Sequence, residues 1–245
     1  MVANRLTDIF TLMERHDRDV PHALSLCQAA AEITELNGAG ISLSSSGDEM
    51  TSLCASGRVA QSLMELEMIV GEGPALDVFR SGDAVTETNL QDPRQPRWPF
   101  YTPEALTIGA RAVFAFPVQI GSVRFGALSL FRLTSGPLSA AQASDGHLMA
   151  SVIARAALSM QASASEGELL GEFHGYSPLD FRVHQAAGMV AVQGCISVKD
   201  ALVALRSHAF SSRSKLSALA ERVVTRKTRF DPDVGEWIDE ADFVA

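Results

Sequence analysis

The stretch ARAVFAFPVQIGSVRFGALSLFR (residues 110–132) predicts the centre of a β-sheet. Its two apolar segments, rich in valine, leucine and phenylalanine, flank the pair Gly121 and Ser122. Apolar runs of this length around a short turn that contains glycine are typical of an antiparallel hairpin. The stretch therefore predicts an antiparallel sheet in the N-terminal part of the chain.

On both sides of this hairpin the sequence alternates between helical and extended patterns. The apolar spacing predicts helices near residues 3–15, 20–36, 59–68, 75–80 and 139–163, and strands near 41–43, 50–55 and 84–88. Mixed helices and strands predict the α+β fold class. The segment QDPRQPRWPFYTP (91–103) holds four prolines, so we predict an irregular surface lobe there.

Three short amphipathic helices are predicted after residue 178. The first, near 179–193, has an apolar stripe of Val183, Ala186, Ala187 and Val190. The second starts with the capping pattern of Ser197 and Asp200, and its stripe is Val198, Ala201, Leu202 and Leu205. The third starts within SSRS (211–214), where a serine can cap it, and its stripe is Leu216, Leu219, Ala220 and Val223. Together they predict a small bundle.

Charge is distributed unevenly between the two parts of the chain. The formal net charge of the whole chain is −9, yet residues 182–229 hold nine lysines and arginines against two acidic residues. Such a basic segment favours a polyanionic partner. The candidate contacts are Lys199 and Arg206 on the second helix, Arg213 before the third, and a predicted stripe on the third of Lys215, Arg222, Arg226 and Arg229.

Gly188 lies in the middle of the first of these helices, in HQAAGMVAVQG (184–194). A glycine there costs about 0.5–1 kcal/mol relative to alanine. Two hypotheses account for it: close packing of another helix, or a ligand that approaches the helix surface. His184 and Gln185, its neighbours, are either ligand contacts or ordinary surface residues.

The cysteine and histidine patterns give little support for a metal site or a disulfide. Cys27, Cys54 and Cys195 are far apart and form no C-x-x-C pair, so we predict three buried small residues. The segment HDRDVPH (16–22) carries the possible ligands His16, Asp17, Asp19 and His22. This pattern more often belongs to a polar connection between helices than to a metal site.

Catalysis and membrane insertion are not expected. GEGP (71–74) lacks the third glycine and the Lys-Ser/Thr of phosphate loops, so it predicts a turn and a helix start. No serine lies in a G-x-S-x-G elbow. The composition, 47% hydrophobic and 20% charged, is that of a globular protein, and no apolar run reaches the roughly 18 residues that span a bilayer. Because MVANRLTDIF lacks the features of a secretion signal, we expect a cytoplasmic protein.

The basic segment HQAAGMVAVQGCISVKDALVALRSHAFSSRSKLSALAERVV (184–224) resembles the ANTAR domain. It carries, in order, an Ala-x-Gly helix, a Leu-Arg-x-x-Ala helix and a third helix after a basic turn. Members often have a basic residue between the Ala and the Gly, where this chain has Ala187. The segment GEGPALDVFRSGDAV (71–85) and the hairpin resemble a GAF sensory domain. The implied organisation is an N-terminal helix (1–17), a GAF-like domain (18–163), a linker (164–178), an ANTAR bundle (179–230) and an acidic tail (231–245).

The resemblance implies a transcription antitermination regulator. ANTAR proteins bind paired RNA hairpins as dimers, and the sensory domain sets whether binding is allowed. The implied RNA-binding residues are His184, Gln185, Gly188, Lys199, Arg206, Arg213, Lys215 and Arg222. A small molecule is a possible ligand of the GAF-like domain, but the Asn-Lys-Phe-Asp-Glu set of cyclic-nucleotide members is absent from the sequence. The sequence therefore leaves the identity of the ligand, and of any cofactor, open.

Other functions remain open at this point. The same three-helix surface suits a DNA-binding or protein-binding regulator, and a small-molecule enzyme in the N-terminal domain is a weaker alternative. Apolar faces near 6–13 and 148–160 predict either a homodimer contact or packing against their own sheet. The tail after Phe230 predicts either a solvated end or a competitor for the basic surface; its acidic residues are Asp231, Asp233, Glu236, Asp239, Glu240 and Asp242.

Overall fold

The computed structural model of the chain describes residues 2–17, 22–46, 49–92, 97–163, 178–232 and 235–239. It divides into two compact units. Unit 1 comprises Met1–Glu67 and Gly71–Tyr176, and unit 2 comprises Met68–Val70 and Ser177–Ala245. Of the predicted linker, residues 164–177 lie outside the described residues.

The elements up to residue 163 follow the predicted alternation of helices and strands. In chain order they are α1 (Val2–His16), α2 (His22–Ile33), β1 (Gly38–Ser46), β2 (Glu49–Ala55), α3 (Arg58–Val70), α4 (Pro74–Ser81), β3 (Val85–Glu87), α5 (Tyr101–Ile108), β4 (Ala112–Ile120), β5 (Val123–Arg132) and α6 (Ala140–Ser163).

The predicted hairpin is confirmed as the pair β4 and β5. Ile120 pairs with Val123, so the turn consists of Gly121 and Ser122. Gly121 has a φ of 60°, a conformation that glycine adopts without steric cost. All pairings in the sheet are antiparallel, and the strand order is β2-β1-β5-β4-β3. The hairpin therefore supplies two of the three inner strands.

Helices cover the sheet and bury most of β4. Phe114 and Phe116 point into an apolar core that also contains residues of α1, α2 and α6. Ile9 of α1 and Met149 of α6 are fully buried in this core. The apolar faces near residues 6–13 and 148–160 therefore pack within their own unit, which is one of the two alternatives that the sequence left open. A homodimer stays a prediction.

The predicted surface lobe is wrong for its second half. Trp98 and Tyr101 are 2% and 1% exposed, and their rings meet edge to face with centroids 5.7 Å apart. The helix α5 then begins inside the proline-rich segment, where the Glu72 carboxylate accepts the backbone N–H groups of Phe100 and Tyr101. Pro103 is tolerated because it occupies the first helical turn, where no intrahelical N–H bond is needed.

The prediction about the cysteines also needs correction. Cys27 of α2 and Cys54 of β2 are buried as predicted, but they form a disulfide bond. Folding brings together two positions 27 residues apart, and their spacing alone carries no sign of this. Cys195 is an exposed free thiol rather than a buried residue. Cys195 has a φ of 50° and lies in the turn that follows the helix Pro178–Gly194.

Unit 2 contains the three predicted helices and a hairpin. The elements are α7 (Pro178–Gly194), α8 (Val198–Ser211), α9 (Leu216–Val224), β6 (Thr228–Asp231) and β7 (Glu236–Asp239). The predicted stripes of α7 and α9 are fully buried, as is that of α8 apart from its first member. That exception is Val198, which is 49% exposed.

The two predicted helix caps differ in outcome. Ser197 caps α8 as predicted, because its hydroxyl accepts the backbone N–H of Asp200 at 3.1 Å. The N-cap of α9 is Lys215, whose side chain makes no capping bond. The prediction of a serine cap for this helix is therefore wrong by one residue.

Residues predicted to form an acidic tail begin inside a hairpin. The strand β6 pairs with β7, so the predicted boundary between residues 230 and 231 falls within this pair. Trp237 of β7 packs against the core of the bundle. The remaining acidic positions Asp233, Glu240 and Asp242 lie outside the described residues.

Among the described residues, no single helix is long and apolar enough to cross a membrane. The segments Arg182–Gly194 and Val198–Ser211 reach the length and apolar composition of a membrane span only when they are taken together, and the two helices are bent by 106° relative to each other.

Candidate functional site

An open groove of about 620 Å³ lies in unit 2, between α7 and the start of the hairpin. The helix contributes a glycine, two amides and two apolar side chains, and the other wall carries two guanidinium groups. The lining residues are Gln185, Gly188, Met189, Val192, Gln193, Arg226, Thr228 and Arg229. The groove therefore combines an apolar surface with positive charge.

Gly188 lies in this groove rather than under another helix. A Cβ atom built on it would meet no described atom within 4 Å. Close packing against the described residues therefore does not explain this glycine, and the helix surface is open to them at this point. Gly194, the last residue of the same helix, is different, because a Cβ there would lie 3.1 Å from the ring of Phe230.

One polar contact attaches the hairpin to α7 beside the groove wall. The Gln193 Oε1 atom accepts the backbone N–H of Phe230 at 2.9 Å. Arg226 precedes the hairpin with a φ of 61°, and its own N–H bonds to the carbonyl of Val223 at 3.0 Å. This turn ends α9 and directs the chain toward the groove.

The predicted basic stripe on the third helix is wrong in its composition. Of its four members only Arg222 lies within α9, because Lys215 is the N-cap and Arg226 and Arg229 follow the last helical residue, Val224. The prediction assumes a third helix that continues to residue 229, whereas α9 ends at Val224. Arg226 and Arg229 line the groove instead.

The groove brings together only part of the predicted RNA-binding set. Gln185 and Gly188 are lining residues. The others lie elsewhere in unit 2: the exposed His184 on α7, Lys199 and Arg206 on α8, Arg213 in the turn after it, Lys215 at the cap of α9, and Arg222 on α9. The roles of these residues in RNA binding stay predictions.

Acidic residues pair with some of the cations of unit 2. Arg182 pairs with Glu221, and Arg222 pairs with Asp239 at 2.6 Å. Arg229 lies 4.0 Å from Asp231. Within the described ranges, Arg226 is exposed and makes no ion pair, so it is the guanidinium of the groove most available to an anion.

Unit 1 holds a second, very different site. A cavity of about 20 Å³, enough for about one water molecule, is lined by residues that include Gly40, Met64, Glu67, Tyr101 and Val113. Burial raises the pKa of Glu67 to about 8, although a hydrogen bond from the Ala75 N–H opposes this shift. Burial, together with nearby Glu67, also raises the pKa of Tyr101 well above its ordinary value. Burial therefore favours the neutral form of both groups.

The GEGP segment shapes this cavity. Gly71 ends α3, Gly73 is the N-cap of α4, and Pro74 occupies its first turn, as predicted from the sequence. Gly73 has a φ of 152°, and a Cβ there would lie 2.3 Å from the Glu67 carboxylate. The turn therefore approaches the buried carboxyl group so closely that only glycine fits.

Sequence reasoning missed Glu67, although a signal was present. Ala60, Leu63, Met64 and Glu67 have helical spacing, so the carboxyl group lies on the apolar stripe of α3. A carboxyl group on a buried stripe indicates a perturbed pKa.

Two of the possible metal ligands of the segment 16–22 contact other side chains. His16 lies 3.1 Å from the Glu32 carboxylate, and Asp17 accepts a hydrogen bond from the Ser25 hydroxyl. Asp19 and the side chain of His22 lie outside the described residues.

Comparison with known proteins identifies the fold of the N-terminal part. The sequence matches no known family and no curated protein. The chain is similar to the GAF domain of a phosphoenolpyruvate-protein phosphotransferase from Acinetobacter, with 14% identity, a TM-score of 0.50, and coverage of 67% of this chain and 99% of that one. The GAF domain of the corresponding protein from Coxiella burnetii gives 14% identity, a TM-score of 0.50, and coverage of 65% and 96%. Unit 1 therefore has a GAF-like fold.

Proposed function

We propose that the chain is an RNA-binding regulator of transcription antitermination, in which unit 1 senses a signal and unit 2 binds hairpin RNA. The groove beside Gly188 is the observation that carries this proposal. It adds Arg226 and Arg229 to the predicted contacts Gln185 and Gly188. The proposal assigns no catalytic step to the chain.

The groove suits an unpaired nucleotide in three respects. Its guanidinium groups match a phosphate, which accepts two hydrogen bonds from one arginine. Met189 and Val192 offer an apolar surface to the face of a base, and the amide of Gln185 can reach a base edge. RNA loops present bases in this unpaired form, whereas paired bases are stacked out of reach. The open surface above Gly188 leaves room for the base.

Unit 1 is proposed as the sensor because of its GAF-like fold and its cavity. Glu67 and Tyr101 supply hydrogen-bonding groups in the wall of a mostly apolar cavity. At about 20 Å³ the cavity has room for about one water molecule, so it must open to bind a larger uncharged ligand. The side chain of Met64 occupies the space beside Gly40, so ligand entry requires this flexible side chain to move.

The test is binding of the full chain to tandem-hairpin RNA and to duplex DNA of equal length, over a series of salt concentrations. We expect tighter binding to the RNA, and expect that the variant Arg226→Ala/Arg229→Ala weakens it about tenfold or more. The slope of log affinity against log salt should fall by about 0.7–0.9 for each lost phosphate contact.

The matched control is Arg58→Ala/Arg80→Ala, which removes two exposed arginines from unit 1 and changes the net charge equally. Equal effects of the two double variants would contradict a role for the groove. Preferential binding to the duplex would replace the RNA proposal with the DNA-binding alternative. Absence of binding to either nucleic acid would leave the protein-binding alternative.

A further inference from the structure

The strand β7 lies against the basic surface of the bundle in unit 2. The ring of Trp237 stacks on His208 of α8, with centroids 4.8 Å apart and an angle of 25° between the planes. Phe230 of β6 meets the same indole edge to face at 5.5 Å. These aromatic contacts hold an acidic strand at a defined position on a basic domain.

Asp239, at the end of this strand, binds one of the predicted RNA contacts. Its Oδ1 atom lies 2.6 Å from a guanidinium nitrogen of Arg222 and accepts the Thr228 hydroxyl at 2.8 Å. Because Thr228 is 1% exposed, it orients the carboxylate from a fixed position. These two hydrogen bonds, from Thr228 first and Arg222 next, lower the pKa of Asp239.

A carboxylate and a phosphate compete for the same groups on an arginine. Both present two oxygen atoms to the planar fork of a guanidinium. The side chains of Arg222 and Asp239 are 48% and 49% exposed, so the pair is accessible to solvent and exchanges readily. An incoming RNA phosphate can therefore replace the carboxylate.

We propose that β7 is an autoinhibitory strand, in which Asp239 occupies Arg222 as a phosphate mimic until RNA displaces it. This inference rests on the proposed RNA-binding function. The sequence predicts competition with RNA for the basic surface as one of two roles of the acidic tail, and the structure assigns this competition to the Asp239 carboxylate and the Arg222 guanidinium. Trp237 then acts as the anchor that keeps the carboxylate close to its target.

The experiment compares Asp239→Asn with Glu236→Gln in the full chain. Both remove one negative charge from β7, but Glu236 is exposed and, among the described residues, makes no ion pair. The amide oxygen that Asp239→Asn introduces still accepts the Thr228 hydroxyl. We expect Asp239→Asn to tighten hairpin RNA binding about two- to fivefold more than Glu236→Gln, as expected for an exposed ion pair.

A double-mutant cycle with Arg222→Ala makes the test specific. In the Arg222→Ala background, Asp239→Asn should have no greater effect than Glu236→Gln, because its partner is absent. Equal effects of the two single variants in the presence of Arg222 would overturn the inference and leave the proposed function intact. Failure of the wild-type chain and every variant to bind RNA would overturn the proposed function, and the inference with it.

A measurement on the unmodified protein avoids any loss of folding in the variants. Carbon-13 NMR follows the titration of the Asp239 carboxyl group with and without saturating hairpin RNA. We expect RNA to raise its pKa toward the ordinary aspartate value, because Arg222 leaves it. An unchanged titration in the RNA complex would contradict displacement.

Discussion

The pocket of unit 1 and the groove of unit 2 each depend on a glycine, but for opposite reasons. At Gly73 an added Cβ would lie 2.3 Å from the Glu67 carboxylate, whereas at Gly188 it would meet no described atom within 4 Å. The first site holds about 20 Å³, and burial favours the neutral form of the Glu67 carboxyl group in its wall. The second holds about 620 Å³ and includes two arginines.

This difference separates a glycine that the fold requires from one that the fold does not require. Gly73 is explained by atoms of its own unit. Gly188 costs helix stability without a packing partner in the described part of the chain. This open position agrees with the proposal that a ligand contacts the helix surface there.

The variant Gly73→Ala tests whether the fold requires a glycine beside Glu67. The φ of 152° at Gly73 and the clash with buried Glu67 predict a loss of about 2–4 kcal/mol in the free energy of unfolding. Denaturant titration measures this loss. The control is Gly71→Ala, which has a φ of 71° but an open Cβ position, and should lose about 1–2 kcal/mol from backbone strain alone. Equal losses would show that the approach to Glu67 is unimportant.

The next effect concerns the pH dependence of stability through Glu67. Its pKa is about 8 in the folded chain and about 4.5 in the unfolded one, so the folded chain holds the extra proton between these values. The contribution of Glu67 to the free energy of unfolding is therefore complete below about pH 4.5. It decreases by about 1.4 kcal/mol for each pH unit between about pH 4.5 and about pH 8.

The variant Glu67→Gln should remove this slope, because its amide does not titrate and still accepts the Ala75 N–H bond. Unfolding curves at several pH values give the slope directly. The matched control is Glu104→Gln, an exposed carboxyl group on α5, which should leave the slope of the wild type unchanged. Parallel curves for Glu67→Gln and the wild type would show that Glu67 is ionised in the folded chain.

The smallest effect is expected for Gly188→Ala. Alanine favours the helix by about 0.5–1 kcal/mol, and the Cβ position is open, so the variant should be as stable as the wild type or more stable. Thermal or denaturant unfolding tests this. A destabilised variant would show that Gly188 packs against the protein after all.

The elements whose structure depends on local periodicity or on a local cap are predictable from the sequence alone. The β4–β5 hairpin, the stripes of α7 and α9, and the Ser197 cap depend on neighbours within one element. The disulfide between Cys27 and Cys54 depends on where α2 crosses β2, which no local pattern encodes.

The basic surface was predicted less well because α9 ends without a glycine or proline. Thr225 donates its hydroxyl to the carbonyl of Glu221 at 2.7 Å, and Arg226 then adopts a φ of 61°. A non-glycine residue in this conformation is uncommon, so a helical continuation was the natural expectation. The groove exists only because the chain turns there.

The hairpin RNA affinity of Gly188→Leu tests directly whether RNA binds in the groove of unit 2. A leucine side chain at this open position would project into the groove, and leucine is a good helix-forming residue. The matched control is Ser207→Leu, which exposes the same side chain on α8 away from the groove-lining residues. We predict that Gly188→Leu loses at least tenfold in RNA affinity at unchanged folding stability, while Ser207→Leu binds like the wild type. Normal RNA binding by a folded Gly188→Leu variant would show that RNA does not bind in this groove.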